Sequence, residues 1–258
     1  MALNFKRMLA VPPADGAAAS VYGLPLAHMA YRIGCGGHLL RAKLPVALRG
    51  GLLVADSGGF DGRGNAQTLC NEMLRECTSR GFDGVICNFD GPPLPVLGQL
   101  VGLLGAQTAQ RGWHLYVTEG YARFSQNARV LISSALSGGS LKARLLEAAG
   151  RYGVGRICLA TERVREDFFL PSPAGSGTAL TAEGLERLIS QRGPSVFFSQ
   201  ELCCHYFTYM NTNGSAHFVL FDDGASLRKK WEIAQGVGIE TALVAYPEVA
   251  DVMGEILR

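Results

Sequence analysis

Apolar residues along this chain fall into two alternating patterns. Short runs such as Leu52–Asp56, Gly84–Asp90, His114–Thr118 and Arg156–Ala160 are too brief for helices and rich in branched residues, which predicts strands. Further strands are expected at Arg7–Val11, Ala27–Ile33, Arg129–Ser133, Ser195–Ser199, Cys204–Met210, His217–Phe221 and Thr241–Tyr246. Between them a helical period runs through Ala66–Arg80, Pro95–Arg111, Leu141–Tyr152, Ala182–Arg192, Ser226–Gly236 and Glu248–Leu257. Ser140 and Thr181 stand where two of these helices need N-caps, and Gly81, Gly112, Gly153 and Gly193 stand where helices should stop. Strands alternating with helices predict a parallel sheet with crossover connections. No GxGxxG follows an early strand, and the strands come to about eight plus a hairpin turned at Met210–Ser215. The expectation is therefore an α/β fold, one (β/α)8 TIM barrel over residues 1–258, with a small late β-hairpin and a loop at Phe169–Gly177.

Composition narrows the function. With 258 residues, 48% of them hydrophobic, the chain can bury a large core, which excludes a disordered protein. The net charge is +2 and the longest basic run is Arg228–Lys230, so neither nucleic acid nor an anionic membrane is expected as the main partner. The longest apolar stretch, Leu94–Ala106, is too short to span a bilayer, and Lys6 and Arg7 interrupt what a signal peptide would need as its apolar centre. Seven cysteines without a CxxC suit a reducing compartment, and the vicinal Cys203–Cys204 pair reads as structural. His28, His38, His114, His205 and His217 show no HxH or HExxH spacing, and no GxSxG occurs. Neither metal nor cofactor is expected.

The informative stretch is RGFDGVICNFDGPP, Arg80–Pro93. Alternation along a strand puts Val85, Cys87 and Phe89 on one apolar face and Ile86, Asn88 and Asp90 on the other. The second face grows polar toward the strand's C-terminal end, where a barrel holds its chemistry. Other polar or aromatic residues at strand ends are Asp56, Glu119, Tyr121, Glu162 and Tyr246. Each reads either as lining a ligand cleft or as a residue with a local structural role (a turn Asp, a solvated Glu, a rim or capping Tyr). Glu201 is a weaker candidate, and Trp113 and Trp231 read as packing residues.

Three segments resemble glycoside hydrolase family 18, the chitinase-like barrels. Arg80–Pro93 is similar to the family's fourth strand, G-F-D-G-x-D-x-D-x-E. Leu52–Phe60 (LLVADSGGF) is similar to its third strand, and Tyr206–Gly238, with FDDGASLRKK, to its late hairpin and following helix. The likeness is greatest to the compact branch that acts on peptidoglycan and spore cortex. On that resemblance Asp83 takes the first acidic position, and Ile86 stands where an inner acidic or amide residue is usual. Asn88 stands for the Asp that supports the substrate acetamido group, and Asp90 for the general-acid Glu. Three of the four positions depart from the pattern. In the family the substrate's own acetamido carbonyl attacks the anomeric carbon. An Asp at position 90 is one methylene short, and a misplacement of about 1 Å can cost on the order of a hundredfold in rate. Asn88 brings no charge to offset the oxazolinium intermediate, and Thr161 replaces the family's usual Tyr. The resemblance thus implies weak or altered hydrolysis of N-acetylglucosamine-containing glycans of the peptidoglycan, spore-cortex or chitin kind. Asp90, Asn88 and Asp83 would be catalytic, and Asp56, Glu119, Tyr121, Glu162 and Tyr246 would bind substrate. The alternative it leaves open is an inactive barrel that binds a glycan or a protein partner. A cytoplasmic or spore-associated location is expected.

Overall fold

In the computed structural model, residues 5–43, 48–171 and 177–258 are described. Fourteen strands occur among them. They are β1 (Lys6–Val11), β2 (Leu26–Ile33), β3 (Leu39–Arg41), β4 (Leu52–Asp56), β5 (Gly84–Asn88), β6 (His114–Thr118) and β7 (Arg129–Ser133). Next come β8 (Ile157–Thr161), β9 (Arg165–Leu170), β10 (Thr178–Ala179), β11 (Phe197–Ser199), β12 (Cys204–Met210), β13 (Ala216–Phe221) and β14 (Thr241–Ala245). The first five α-helices are α1 (Gly16–Ser20), α2 (Ala66–Arg80), α3 (Pro95–Arg111), α4 (Leu141–Tyr152) and α5 (Ala182–Arg192). Eight of them, in the order β1–β14–β8–β7–β6–β5–β4–β2, form a parallel barrel that β1 closes by pairing with β2. The barrel expected from the sequence is present. The late hairpin is present as well, enlarged: β12 and β13 belong to a five-stranded antiparallel sheet ordered β10–β9–β13–β12–β11. By internal packing the chain forms two compact units. One holds the described residues of Met1–Ile132, Ala148–Ala160 and Gly238–Pro247, the other those of Ser133–Glu147, Thr161–Val237 and Glu248–Arg258.

In the first unit, the barrel interior is an apolar column to which every barrel strand contributes, among its residues Met8, Val54, Ile86, Tyr116, Leu131 and Leu243. Branched side chains from alternate strands fill such a barrel to close packing, and each one fully buried contributes about 1.5–3 kcal/mol. The outward faces of β4, β5 and β6, with Leu53, Val85, Cys87 and Val117, pack against α2 (Ala66–Arg80) and α3 (Pro95–Arg111). Asn65 caps α2 by accepting from Thr68 N at 3.0 Å, and Gly81 and Gly112 end the two helices in the left-handed conformation. Gly98 and Gly105 let α3 lie close against the segment after β6. A Cβ on either would come within 2.6 Å of the Phe124 ring or 2.1 Å of Ser125 Oγ.

In the second unit, Leu185 of α5 (Ala182–Arg192) packs against Phe207 and Val219, on one face of the antiparallel sheet. Cys204, Leu220, Phe168 and Val164 form a separate cluster. The FDD…S…K segment folds into a clasp at the start of the helix Gly224–Val237. Asp223 Oδ1 accepts from Ser226 N (2.8 Å), and the buried Asp222 carboxylate accepts from Ser226 Oγ (2.7 Å), Val164 N (2.9 Å) and Lys230 Nζ (2.6 Å). The sequence predicts one helix over Glu248–Leu257, whereas two short ones form, Tyr246–Val249 and Met253–Ile256. Between them Arg163 grips Asp251 at 2.7 Å and holds a turn. Part of the expected loop Phe169–Gly177 is strand, since Phe169 and Leu170 belong to β9, and its residues 172–176 lie outside the described residues.

Candidate functional site

Strands β4 and β5 are in register, Val54 with Ile86 and Asp56 with Asn88. Val54 and Ile86 point into the apolar column, so two residues on, by the period of a strand, Asp56 and Asn88 face the same way at the barrel's C-terminal end. Asn88 Nδ2 donates to Asp56 Oδ2 at 3.1 Å, and Gly58 N donates to Asp56 Oδ1 at 2.6 Å. A carboxylate only accepts, so the amide nitrogen of Asn88 must face Asp56. Its carbonyl oxygen is thereby turned away, and among the described residues nothing donates to it. It is an oriented acceptor awaiting an N–H or O–H.

These two residues belong to the lining of a cavity of about 540 Å³, within the usual range for small-ligand sites. Its lining also includes Val54, Ala30, Tyr31 and Ala42 and, from β2 and β3, the longer side chains of Met29, Arg32, Leu40 and Arg41. None of these last four follows from the sequence reading. The cause is a break in register along β2 between His28 and Tyr31. Ile33 packs outward against the helices, Ala30 and Tyr31 border both that outer core and the cavity, and Met29 and Arg32 come to the cavity side.

Ile86 is 1% exposed in the apolar column, as its face predicts. Asp90 lies beyond the end of β5 and is exposed; it is not part of the cavity wall, and among the described residues it has no partner. Phe89, buried against Tyr121 with ring centroids 5.3 Å apart, pins the chain just before it, and Thr118 Oγ1 secures the same turn by donating to Phe89 O at 2.7 Å. Asp83 is not brought to this site. It sits before β5 begins, at the barrel's other end and about 16 Å away along the strand, where its backbone joins Gly51 and His114. Tyr121 does not face a cleft either. The chain leaves β6 in a 3₁₀ turn, Glu119–Phe124, so strand alternation stops there and the ring turns into the core under α3, its hydroxyl accepting from Leu94 N at 3.0 Å. Burial pushes that phenol above its ordinary pKa.

Glu119 accepts from Tyr152 OH at 3.2 Å, and Tyr246 is buried with its ring 6.2 Å from that of Tyr22. In the second unit, Glu162 accepts from Ser133 Oγ at 2.5 Å, and its backbone exchanges hydrogen bonds with Ser134 Oγ. Thr161, at the family's Tyr position, is buried and accepts from Trp231 Nε1 at 2.8 Å. Trp231 and Trp113 are packing residues, the latter beneath the Arg111 guanidinium. Glu201 is exposed, its carbonyl accepting from Leu141 N. Among the described residues no group of three His, Cys, Asp or Glu side chains could hold a metal ion. No helix among them is long and apolar enough to cross a membrane.

The parallel barrel is similar in fold to solved chitinases and spore cortex-lytic enzymes of the family-18 type. A chitinase from Chromobacterium violaceum superposes with a TM-score of 0.71 at 15% identity, covering 97% of this chain and 98% of that one. The spore cortex-lytic enzyme SleL of Bacillus cereus gives 0.70 at 15%, covering 98% and 74%. A glycoside hydrolase family 18 N-acetylglucosaminidase from Paenibacillus barengoltzii gives 0.64 at 13%, covering 97% and 99%. No family model matches the chain, and no curated protein matches it by sequence.

Proposed function

We propose that this chain takes an N-acetylglucosamine-containing glycan, of peptidoglycan, spore-cortex or chitin type, into the barrel mouth and serves there as a binding protein rather than an efficient hydrolase. The observation that carries this reading is the Asp56–Asn88 pair on the cavity wall, which presents one oriented amide acceptor. An acetamido N–H matches that acceptor. Efficient hydrolysis also needs an acid held beside the glycosidic oxygen in a site that excludes water. Ile86 fills the inner acidic position with hydrocarbon, and Asp90 stands in solvent outside the cavity wall.

A second reading, slow hydrolysis with Asp90 as the acid, is favoured by one observation: among the described residues nothing ties down the Asp90 carboxyl, so it is free to swing toward a ligand. Incubation of the protein with chitin oligomers and with muropeptides, followed by thermal shift and by mass spectrometry, tests both. The expected result is a shift that Asn88→Ala abolishes, with no product. Product that disappears in Asp90→Ala would establish the slow hydrolase. Absence of both shift and product would remove the glycan reading.

A further inference from the structure

The cavity wall carries three charged residues, Arg32, Arg41 and Asp56, and two of them are already engaged. Asp56 is held by Asn88 and Gly58. Arg41 donates to Glu76 at 3.1 Å, and Glu76 in turn accepts from Tyr31 OH at 2.9 Å. Arg32 differs. It is exposed, and among the described residues its guanidinium has neither a hydrogen-bond nor an ion-pair partner. It stands in register with Asp56 across β2 and β4, on the cavity side, yet the two do not form an ion pair. Beside it are the half-exposed side chains of Met29 and Leu40, 40% and 41% accessible. The cavity therefore offers a ligand a guanidinium with all its donors open, next to an apolar surface.

We propose that Arg32 is the specificity determinant of the mouth, and that it selects a glycan bearing a carboxylate over a neutral one. Guanidinium binds carboxylate through two parallel, charge-assisted N–H···O bonds, which add geometric specificity to strength. The ether-linked lactyl group of N-acetylmuramic acid that carries no peptide joins a carboxylate to a methyl; Arg32 and the Met29–Leu40 surface match those two parts. Neutral N-acetylglucosamine polymer has nothing to set against the charge. This inference rests on the reading of the mouth as a glycan site.

The test uses the full chain and three probes in calorimetry: a tetrasaccharide of alternating N-acetylglucosamine and N-acetylmuramic acid, its methyl ester, and chitotetraose. The acid is expected to bind about tenfold tighter than the ester, and the preference is expected to shrink as salt is raised. In Arg32→Gln the acid and ester should bind alike. Arg32→Lys, which keeps the charge without the fork, should fall between. Equal binding of acid and ester by the unaltered protein, or a preference that survives in Arg32→Gln, would overturn the role of Arg32 while leaving the glycan reading intact. Binding of none of the three would overturn both.

Discussion

Asn88 hands its amide hydrogen to the Asp56 carboxylate across 3.1 Å, from the neighbouring strand and at the same level. Asn88 is a position that the family resemblance makes conspicuous; Asp56 is the neighbour that orients it. Asp56 reads from sequence as a turn aspartate or a cleft residue, and it is both, one oxygen closing the turn to Gly58 and the other steering Asn88.

Removing either partner should therefore disturb binding in the same way. Asp56→Ala and Asn88→Ala are each expected to weaken glycan binding about tenfold, and the double replacement to cost little more than either one, because each single change already destroys the oriented acceptor. A double-mutant cycle by calorimetry checks this. Folding stability should change by about 1 kcal/mol or less in either variant, since the pair is only partly buried.

His28 should make stability depend on pH. It is buried on β2, its Nε2 lies 3.0 Å from the Gly50 carbonyl, and its ring faces Phe82. A carbonyl only accepts, so that nitrogen carries the hydrogen in the neutral ring. Burial lowers the pKa below the usual 6.5, and the Gly50 bond opposes this with a smaller upward pull. As pH falls below 6.5 the unfolded chain takes the proton first. The stability owed to neutral His28 is thus full above that value and is lost as pH falls through the lowered folded one. Urea midpoints between pH 7 and 5 should decline, and decline less in His28→Gln.

The clasp in the second unit makes a stronger statement. Lys230 and Asp222 are both wholly inaccessible and 2.6 Å apart. Lys230→Met leaves the carboxylate buried without its counter-charge and should destabilise by about 3–5 kcal/mol, whereas removal of both charges in Lys230→Met with Asp222→Leu should cost less per group. Denaturant unfolding of the three variants distinguishes these outcomes.

Thiol chemistry offers a simple check of burial. Cys35 is exposed and the other six cysteines are buried and unbridged. Burial pushes the Cys77, Cys158 and Cys204 thiols up to about 12 and Cys203 to about 11, so these stay protonated through the neutral range. At pH 8 an aromatic disulfide reagent should titrate one thiol rapidly in the native protein and all seven in denaturant. The vicinal pair behaves as the sequence suggests: Cys203 Sγ is directed to Ser226 O, while Cys204 sits in an apolar cluster.

The parts of the site that could be read from sequence are those where a strand keeps its period. Over Gly84–Asn88 nothing interrupts the alternation, so the apolar face of Val85 and Cys87 and the inward face of Ile86 and Asn88 follow directly. Arg32 could not be found in that way, because the irregularity after His28 exchanges the two faces of β2 and leaves no mark in the residue types. Tyr121 turns into the core for a related reason, the early change from strand to 3₁₀ turn. Asp83 shows the limit of a motif: the pattern records order along the chain, but its first and third positions lie at opposite ends of one strand. The helices Ala66–Arg80 and Pro95–Arg111 emerge with the expected bounds, since Asn65, Pro95 and the terminal glycines Gly81 and Gly112 punctuate them.

The hydrocarbon at position 86 has a further consequence. Because the column is apolar up to Ile86 and turns polar at Asn88, the molecule keeps what holds it together and what it shows to a ligand on separate floors. A barrel that retained the inner carboxylate would carry its chemistry down into its own foundation, where every change of residue also loosens the fold. Here the upper floor can be refurnished freely: Asp56, Asn88 and Arg32 are open to exchange, and the barrel beneath would stand through a change of ligand.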